Sequence, residues 1–278
     1  MSKAAGFPTG KKIMRDISSS ITANHNIGKW HQLAATAAVL AAALCLSGCA
    51  TGVKNTSRTF RTVVIDAGHG GHDSGARARS GLKEKEAALD VAQRLEPKLR
   101  AAGFKTKMTR NRDVFIPLDG RVRASNRASN SIFVSIHFNH AKAARISGAE
   151  VYYKSPVSRE IASRVLDRLY EVPGTARRGL KTANFRVLRL NRYPAVLVEC
   201  GFMSNPTEAA RAASPVYRER LADAIADALV EQRFGVTGLA KLRPRTTPEA
   251  PPFQLAATPT PSPRAASAPR SPSGRRAL

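Results

Sequence analysis

Cysteine is almost missing from this chain. Its 278 residues contain three, Cys45, Cys49 and Cys200, too few for a disulfide framework or a cluster of thiolate metal ligands. A packed apolar core must therefore supply the stability. Long apolar runs are missing as well: the stretch Leu33 to Leu46 falls short of the ~20 residues that a membrane-spanning helix needs. Acidic residues are scarce, 20 Asp and Glu against 45 Lys and Arg, for a formal net charge of +25. A charge that large implies an anionic partner. No internal repeat is detectable.

Both ends read as lying outside the fold. Five basic residues (Lys3, Lys11, Lys12, Arg15, Lys29) precede the apolar run, which closes with Leu46-Ser47-Gly48-Cys49. A cationic leader, a short apolar stretch and small residues at its end form the pattern of a secretory signal. The closing residues resemble the lipobox of bacterial lipoproteins, in which cleavage before the cysteine leaves it as a lipidated N-terminus. The expectation is a signal peptide over residues 1–48, lipidation at Cys49, a linker over 49–60, and an exported protein held to a membrane by its lipid. With Ala50 rather than Asp after the cysteine, the resemblance points to the periplasmic face of an outer membrane. Loss of residues 1–48 removes five basic residues and one acid, taking the charge from +25 to +21. Residues 235–278 hold nine of the seventeen prolines, and seven basic residues against Glu249. Such a stretch is expected to be a disordered basic tail. An exported protein does not meet nucleic acid, so anionic wall polymer or lipid headgroups are the expected partners of that tail.

Between the ends, residues 61–234 alternate strand and helix signals. Strands are expected at Thr62 to Asp66, Phe104 to Thr109, Ser131 to His137, Gly148 to Lys154, Phe185 to Arg189 and Ala195 to Glu199. A helix starting near Glu84 carries Ala88, Val91, Leu95, Leu99 and Ala102 on one face, with Pro97 expected to kink it or to leave one hydrogen bond unmade. Further helices follow Pro117, run from Ser158 to about Tyr170, and fill Pro206 to Phe234 with Leu221, Ile225 and Leu229 facing inward. This rhythm predicts an α/β fold: a mostly parallel or mixed twisted sheet with helices on both faces.

Three apolar strands end alike. "VVIDAGH" reaches His69, "SIFVSIH" reaches His137, and "AVLVE" reaches Glu199. Ligands of open α/β sheets bind outside the carboxyl ends of the strands, so parallel strands would bring these groups together there. Glu84 or Glu86, at the start of the first helix, can join them if the loop from Gly70 to Lys83 folds back. Two imidazoles and a carboxylate with one open position form the ligand set of a catalytic zinc ion, and a further carboxylate can serve as a general base.

The segments "DAGHGGHDSGA" (66–76), "KEKEAAL" (83–89), "TRNRD" (109–113), "SIHFN" (135–139), "KTANFRVLR" (181–189) and "PAVLVECGFMSNPTEA" (194–209) occur in this order. Together they resemble the zinc-dependent N-acetylmuramoyl-L-alanine amidases of the type 3 family, over about residues 61–234. The resemblance implies one zinc ion held by His69, Glu84 and His137, Glu199 as the catalytic base, and a cleft lined by Asn139 and the segment around Asn184. The implied substrate is peptidoglycan, cut between N-acetylmuramic acid and the L-alanine of the stem peptide by a monomeric enzyme. It also chooses Glu84 over Glu86, which reads as an acid stabilising the helix N-terminus. The family usually has an acid where this chain has His72. Relatives active in cell division insert a helical segment between the second histidine and the glutamate; the 62 positions from His137 to Glu199 leave no room for one, so no activator is expected.

Competing assignments exist for several residues. Asp66 either orients a ligand imidazole or bonds the glycine turn, Cys200 reads as a small buried apolar residue, and Arg121, Arg123, Arg127, Arg177 and Arg178 read as solvated surface. Alternatives to the amidase are a zinc peptidase acting on the stem peptide and an inactive wall-binding lipoprotein, although a degenerate protein should have lost one of the four groups. Replacing Cys49 by Ala should leave the protein unprocessed or release it from the membrane, as read by fractionation and by the mass of the mature N-terminal peptide. A wild-type protein whose mature terminus lies beyond residue 49 contradicts the anchor.

Overall fold

A computed structural model describes residues 52–242, with side chains to 238. The chain divides into two units, Met1–Lys54 and Asn55–Leu278. The expected signal peptide, Cys49 and residues 243–278 of the expected tail lie outside the described residues; the first eight residues of that tail, 235–242, are helical rather than disordered, continuing the last helix past a break at Gly235. Among the described residues, no helix is long and apolar enough to cross a membrane.

The second unit runs β1 (Thr62–Ala67), α1 (Glu84–Ala101), β2 (Lys105–Met108), α2 (Leu118–Asn126), β3 (Ser131–Asn139) and β4 (Ala149–Tyr153). It continues with α3 (Arg159–Tyr170), β5 (Arg177–Thr182), α4 (Arg186–Arg189), β6 (Ala195–Phe202), α5 (Pro206–Ala213) and α6 (Pro215–Leu242). Helix α6 is broken at Gly235, where φ is 73°. The six strands form one sheet in the order β2-β1-β3-β6-β4-β5. Strands β2, β1, β3 and β6 are mutually parallel, and β4 runs antiparallel to β6 while pairing in parallel with β5. The expected mixed α/β architecture is the observed one.

Alternation along the strands sorts the core into two layers. Val63, Ile65, Ile132, Val134, Val196 and Val198 face a large cluster shared with Val91, Leu95, Val165, Leu221 and Leu229 of α1, α3 and α6. Val64, Phe133, Ala195 and Leu197 face a smaller cluster completed by Val122 of α2 and by Val187 and Leu188 of α4. Each fully buried Leu, Ile, Val or Phe contributes about 1.5–3 kcal/mol relative to exposure, and this burial rather than disulfides opposes the entropy of the chain. Residues ahead of position 61 join this core: Phe60 is buried and stacks on Phe104 at 5.2 Å, and Thr56 Oγ1 donates to the Ser131 carbonyl at 2.6 Å.

One local expectation needs correction, one strand went unread, and the alternatives for Pro97 reduce to an unmade hydrogen bond. The "FRVLR" segment is the one-turn helix α4 rather than a strand: Val187 and Leu188 are both buried, and adjacent inward residues suit a helical turn. Strand β5 carried no signal because "RRGLKT" is a polar edge strand, as edges commonly are. Helix α1 runs through Pro97, which lies on the exposed side where solvent reaches the carbonyl left without a donor.

One buried ion pair ties α2 to the sheet. Asp66 Oδ1 accepts from Arg121 Nη1 at 2.8 Å and from Thr109 Oγ1 at 2.6 Å, and Oδ2 accepts from Ser135 Oγ at 2.7 Å. Both partners are nearly inaccessible. Arg121 is therefore structural, not solvated surface, and Asp66 neither orients an imidazole nor bonds the glycine turn. Arg121→Met, which leaves a buried carboxylate without its counter-charge, should lower unfolding free energy by about 3–5 kcal/mol. Adding Asp66→Asn should restore part of that loss in urea titrations; strict additivity of the two losses contradicts the pairing.

Candidate metal centre and cleft

The parallel register brings two of the candidate residues side by side. His137 and Glu199 are direct partners across the β3–β6 pair, on the face that also carries Phe133 and Leu197. Two residues beyond β1, His69 sits at φ 56°, a left-handed conformation that turns its ring back over the strand ends. Glu84 is the first residue of α1, and the loop from Gly70 to Lys83 returns it to the same place. Its Oε1 lies 2.8 Å from His137 Nδ1 and 3.0 Å from His69 Nε2. The carboxylate is fixed independently, because the Phe138 and Ala76 backbone N–H groups donate to Oε1 and Oε2 at 3.1 and 2.9 Å. One donor atom from each of His69, Glu84 and His137 lies within 4.8 Å of the others.

Tight backbone packing shapes this cluster. A Cβ on Gly68 would stand 2.3 Å from the His137 ring, and one on Gly75, at φ +62°, would stand 2.5 Å from Glu84 Oε2 and 2.6 Å from the His69 ring. Asp73 Oδ2 sits 2.8 Å from His69 Nδ1, and the Gly75 N–H donates to its other oxygen at 3.1 Å. A carboxylate behind a histidine in this way fixes the tautomer and ring orientation of a metal ligand. Sequence reasoning missed Asp73; its position four residues after His69 in the glycine loop was the available signal.

The two central carboxylates are pushed apart. Burial alone would raise Glu84, but hydrogen bonds from His137 and His69 outweigh it and hold the carboxyl below the usual range. Burial raises Glu199 to about 7, and its Oε2 is enclosed without a hydrogen-bond partner. Burial opposes protonation of His69 and His137, yet their contacts with Glu84, joined by Asp73 for His69 and by the charge of Glu199 for His137, raise both. Three donor groups in mutual contact require either shared protons or a cation between them. Two imidazoles and one carboxylate, with a second carboxylate alongside whose Oε2 lacks a partner, fit a divalent ion of the zinc type with an open position.

A cavity of about 700 Å³ opens over the cluster, with Phe115, Leu118, Asn139, Phe185 and Arg186 among its lining. Asn139 Nδ2 lies 3.4 Å from Glu150 Oε2, and its Oδ1 accepts from the His140 N–H. Asn184 is exposed and outside that lining, to which its segment contributes Phe185, Arg186 and Val187. Glu86 caps α1, accepting from the Lys83 N–H at 3.3 Å. His72 rests on Phe115 with ring centroids 4.1 Å apart, and Cys200 is buried in the large core. Sequence reasoning also missed Glu150, the antiparallel partner of Glu199, which is buried and bonded by Arg178, by Lys181 Nζ at 2.6 Å and by Tyr152 Oη at 2.6 Å.

The family model of the N-acetylmuramoyl-L-alanine amidases, Amidase_3, matches residues 63–231. The amidase LytC of Bacillus subtilis is 38% identical over 173 residues, 61% of this chain and 35% of LytC. The YqiI protein of the same organism is 37% identical over 191 residues, 67% of this chain and 91% of YqiI. This chain thus spans about a third of LytC and most of YqiI. Among solved structures, the amidase AmiC2 of Nostoc punctiforme has a TM-score of 0.60 at 37% identity, covering 61% of this chain and 95% of its own. The catalytic domain of the amidase CwlV from Bacillus (Paenibacillus) polymyxa var. colistinus gives 0.60 at 35% identity, covering 62% and 97%.

A cation entering the cluster must displace protons from histidines that hold them more tightly than usual. Zinc affinity, measured by competition with a chromogenic chelator, should therefore weaken as pH falls from 8 towards and below the ordinary histidine value of 6.5. Affinity constant across that interval contradicts the shared-proton arrangement.

Proposed function

As the chain belongs to the Amidase_3 family of N-acetylmuramoyl-L-alanine amidases, we propose that it hydrolyses peptidoglycan at the amide between N-acetylmuramic acid and L-alanine. The observation carrying this reading is the His69–Glu84–His137 cluster facing Glu199, whose buried Oε2 has no partner. His69, Glu84 and His137 would hold one zinc ion. Such an ion, when bound, polarises a carbonyl and acidifies water.

The chain's own groups divide the remaining work. Asp73 keeps the Nδ1 of His69 occupied, leaving Nε2 directed at the shared position. Glu199 takes a proton from water at the open side of the cluster and returns it to the departing L-alanine nitrogen. Its raised proton affinity suits both halves of that task, since a strongly acidic carboxyl is a poor base at neutral pH. Phe115, Leu118 and Phe185 make the approach apolar, which favours the muramoyl–peptide junction over bulk water. Asn139 and the segment around Asn184 would complete the cleft.

The interval between His137 and Glu199 contains one helix longer than a turn, α3, and its Ile161, Val165 and Leu169 are buried in the large core. That supports an enzyme needing no activator. Export, lipid attachment at Cys49 and wall binding by the basic tail would then locate it in the cell envelope.

Digestion of purified peptidoglycan with the zinc-loaded protein should release peptides with a free N-terminal L-alanine, and a chelator should abolish the release. New termini within the stem would favour a peptidase instead. Glu199→Gln should retain zinc and lose about 10²–10⁴-fold in turnover; a variant that purifies without metal contradicts the base role, and an inert wild-type domain revived by a partner contradicts autonomy.

A further inference from the structure

The two sides of the sheet treat arginine differently. Around α1, α3 and α6 several guanidinium groups are paired with acids of neighbouring elements: Arg94 with Asp90 and Glu219, Arg164 and Arg168 with Glu231, and Arg218 with Asp90. On the other side, α2, α4 and the residues that follow each of them present Arg123, Arg127, Arg186, Arg189 and Arg192, all exposed. Only Arg186 has a salt-bridge partner among the described residues, Asp119, at 2.5 Å. Asp119 is also the one acid between residues 114 and 136, and residues 183–198 contain none. Arg123 and Arg127 are four apart, Arg123 and Arg189 both act on the Asp119 carboxylate, and the Arg192 backbone N–H donates to Asn126 Oδ1 at 2.8 Å, which seats Arg192 beside the end of α2. The five therefore form one cationic surface.

Apolar side chains interrupt that surface. Phe115, Leu118, Phe185 and Leu190 account for four of the seven exposed large hydrophobics among the described residues. Phe115, Leu118, Phe185 and Arg186 also line the cavity over the metal cluster. Exposed apolar groups gathered beside unpaired cations mark an interaction site, and this one is continuous with the mouth of the cleft.

We propose that this surface is a binding track for the peptidoglycan strand, in which arginines of α2 and α4 hold free carboxylates of peptide stems next to the one being cut. Phe115, Leu118 and Phe185 offer apolar faces to the sugar rings between them. The proposal rests on the amidase reading above and assigns that site a polymeric, polyanionic substrate. A lipid surface seated on the same face would close the cleft, because Phe115, Leu118, Phe185 and Arg186 line its mouth. Phosphate-bearing polymer shares the negative charge but does not carry the scissile junction into the cavity.

The test uses the full chain and two variants, R123Q/R127Q/R189Q/R192Q and the four matching Arg→Lys changes; none of these residues lines the cavity. Peptidoglycan stripped of phosphate-bearing polymer is the probe. At low salt the Gln variant should sediment with it about tenfold more weakly, the Lys variant should bind nearly as wild type, and the difference should shrink as salt rises. Turnover of a soluble N-acetylmuramoyl-peptide should be unchanged in both. Equal sedimentation of Gln variant and wild type, or a loss confined to phosphate-bearing wall or to phosphatidylglycerol vesicles, overturns the track. Soluble turnover lost in both variants makes the arginines structural and overturns it too. Wild-type protein that sediments but cuts neither substrate sinks the amidase reading alone, since sedimentation requires no cleavage.

Discussion

Two buried guanidinium groups hold the turn on which the candidate site depends. Arg110 donates from Nε to the Ala67 carbonyl at 2.9 Å, and from Nη2 to those of Gly68 and Lys85 at 2.6 and 2.8 Å. Arg121 donates to the Ala67 and His69 carbonyls, both at 2.6 Å. Three successive carbonyls are thereby fixed at the point where β1 leaves the sheet. A non-glycine residue at positive φ costs about 1–2 kcal/mol, and these bonds offset that cost for His69. Burial lowers the proton affinity of Arg110, with the nearby Arg121 adding repulsion. Asp66 balances one of the two charges, and the ordered carbonyl dipoles solvate the other.

With the turn held, the remaining groups follow from register and helix geometry. The parallel pairing of β3 with β6 places His137 beside Glu199, and the antiparallel pairing of β6 with β4 places Glu150 on its far side. Glu150 is compensated by Arg178, Lys181 and Tyr152, whereas Glu199 is left with an unbonded oxygen. Across the cluster Glu84 receives two imidazoles and two backbone N–H groups. Carboxylates of similar intrinsic acidity are thus set apart by their surroundings: one is held ionised, as the proposed metal ligand must be, and another is destabilised as an anion, as the proposed base must be.

What could be read from the sequence was what apolar patterning frames. Three β-branched runs ending in His69, His137 and Glu199 announced both the sheet and the edge where these groups meet, and amphipathic spacing located α1 and α6. Residues acting through bonds between distant segments carried no such frame. Arg110 and Arg121 look like any exposed arginine until β1 is placed against them. Asp73 lies inside a motif already quoted for its histidine and glycines, but its role depends on how the left-handed turn folds. Glu84 could be separated from Glu86 only by resemblance, because both occupy the first turn of the same helix and geometry alone picks the one that points across the strand ends. Polar β5 was unreadable for a related reason, since an edge strand need not bury a face.

The distribution of charge has the same cause as the fold. The helices against the large core approach one another closely, so Asp90, Glu219 and Glu231 can reach arginines from neighbouring elements and neutralise them. Individually such half-buried surface pairs contribute little, about 0–1 kcal/mol, but they offset the positive charge of those arginines. The smaller core is covered only by the nine-residue α2 and the single turn of α4, and few acids lie near enough to pair. The cavity over the metal cluster lies against this cover, with Leu118 of α2 and Arg186 and Val187 of α4 in its lining. The thin layer that exposes the candidate metal centre is thus the layer that leaves its arginines unneutralised, and access and positive potential arise together at one edge of the sheet.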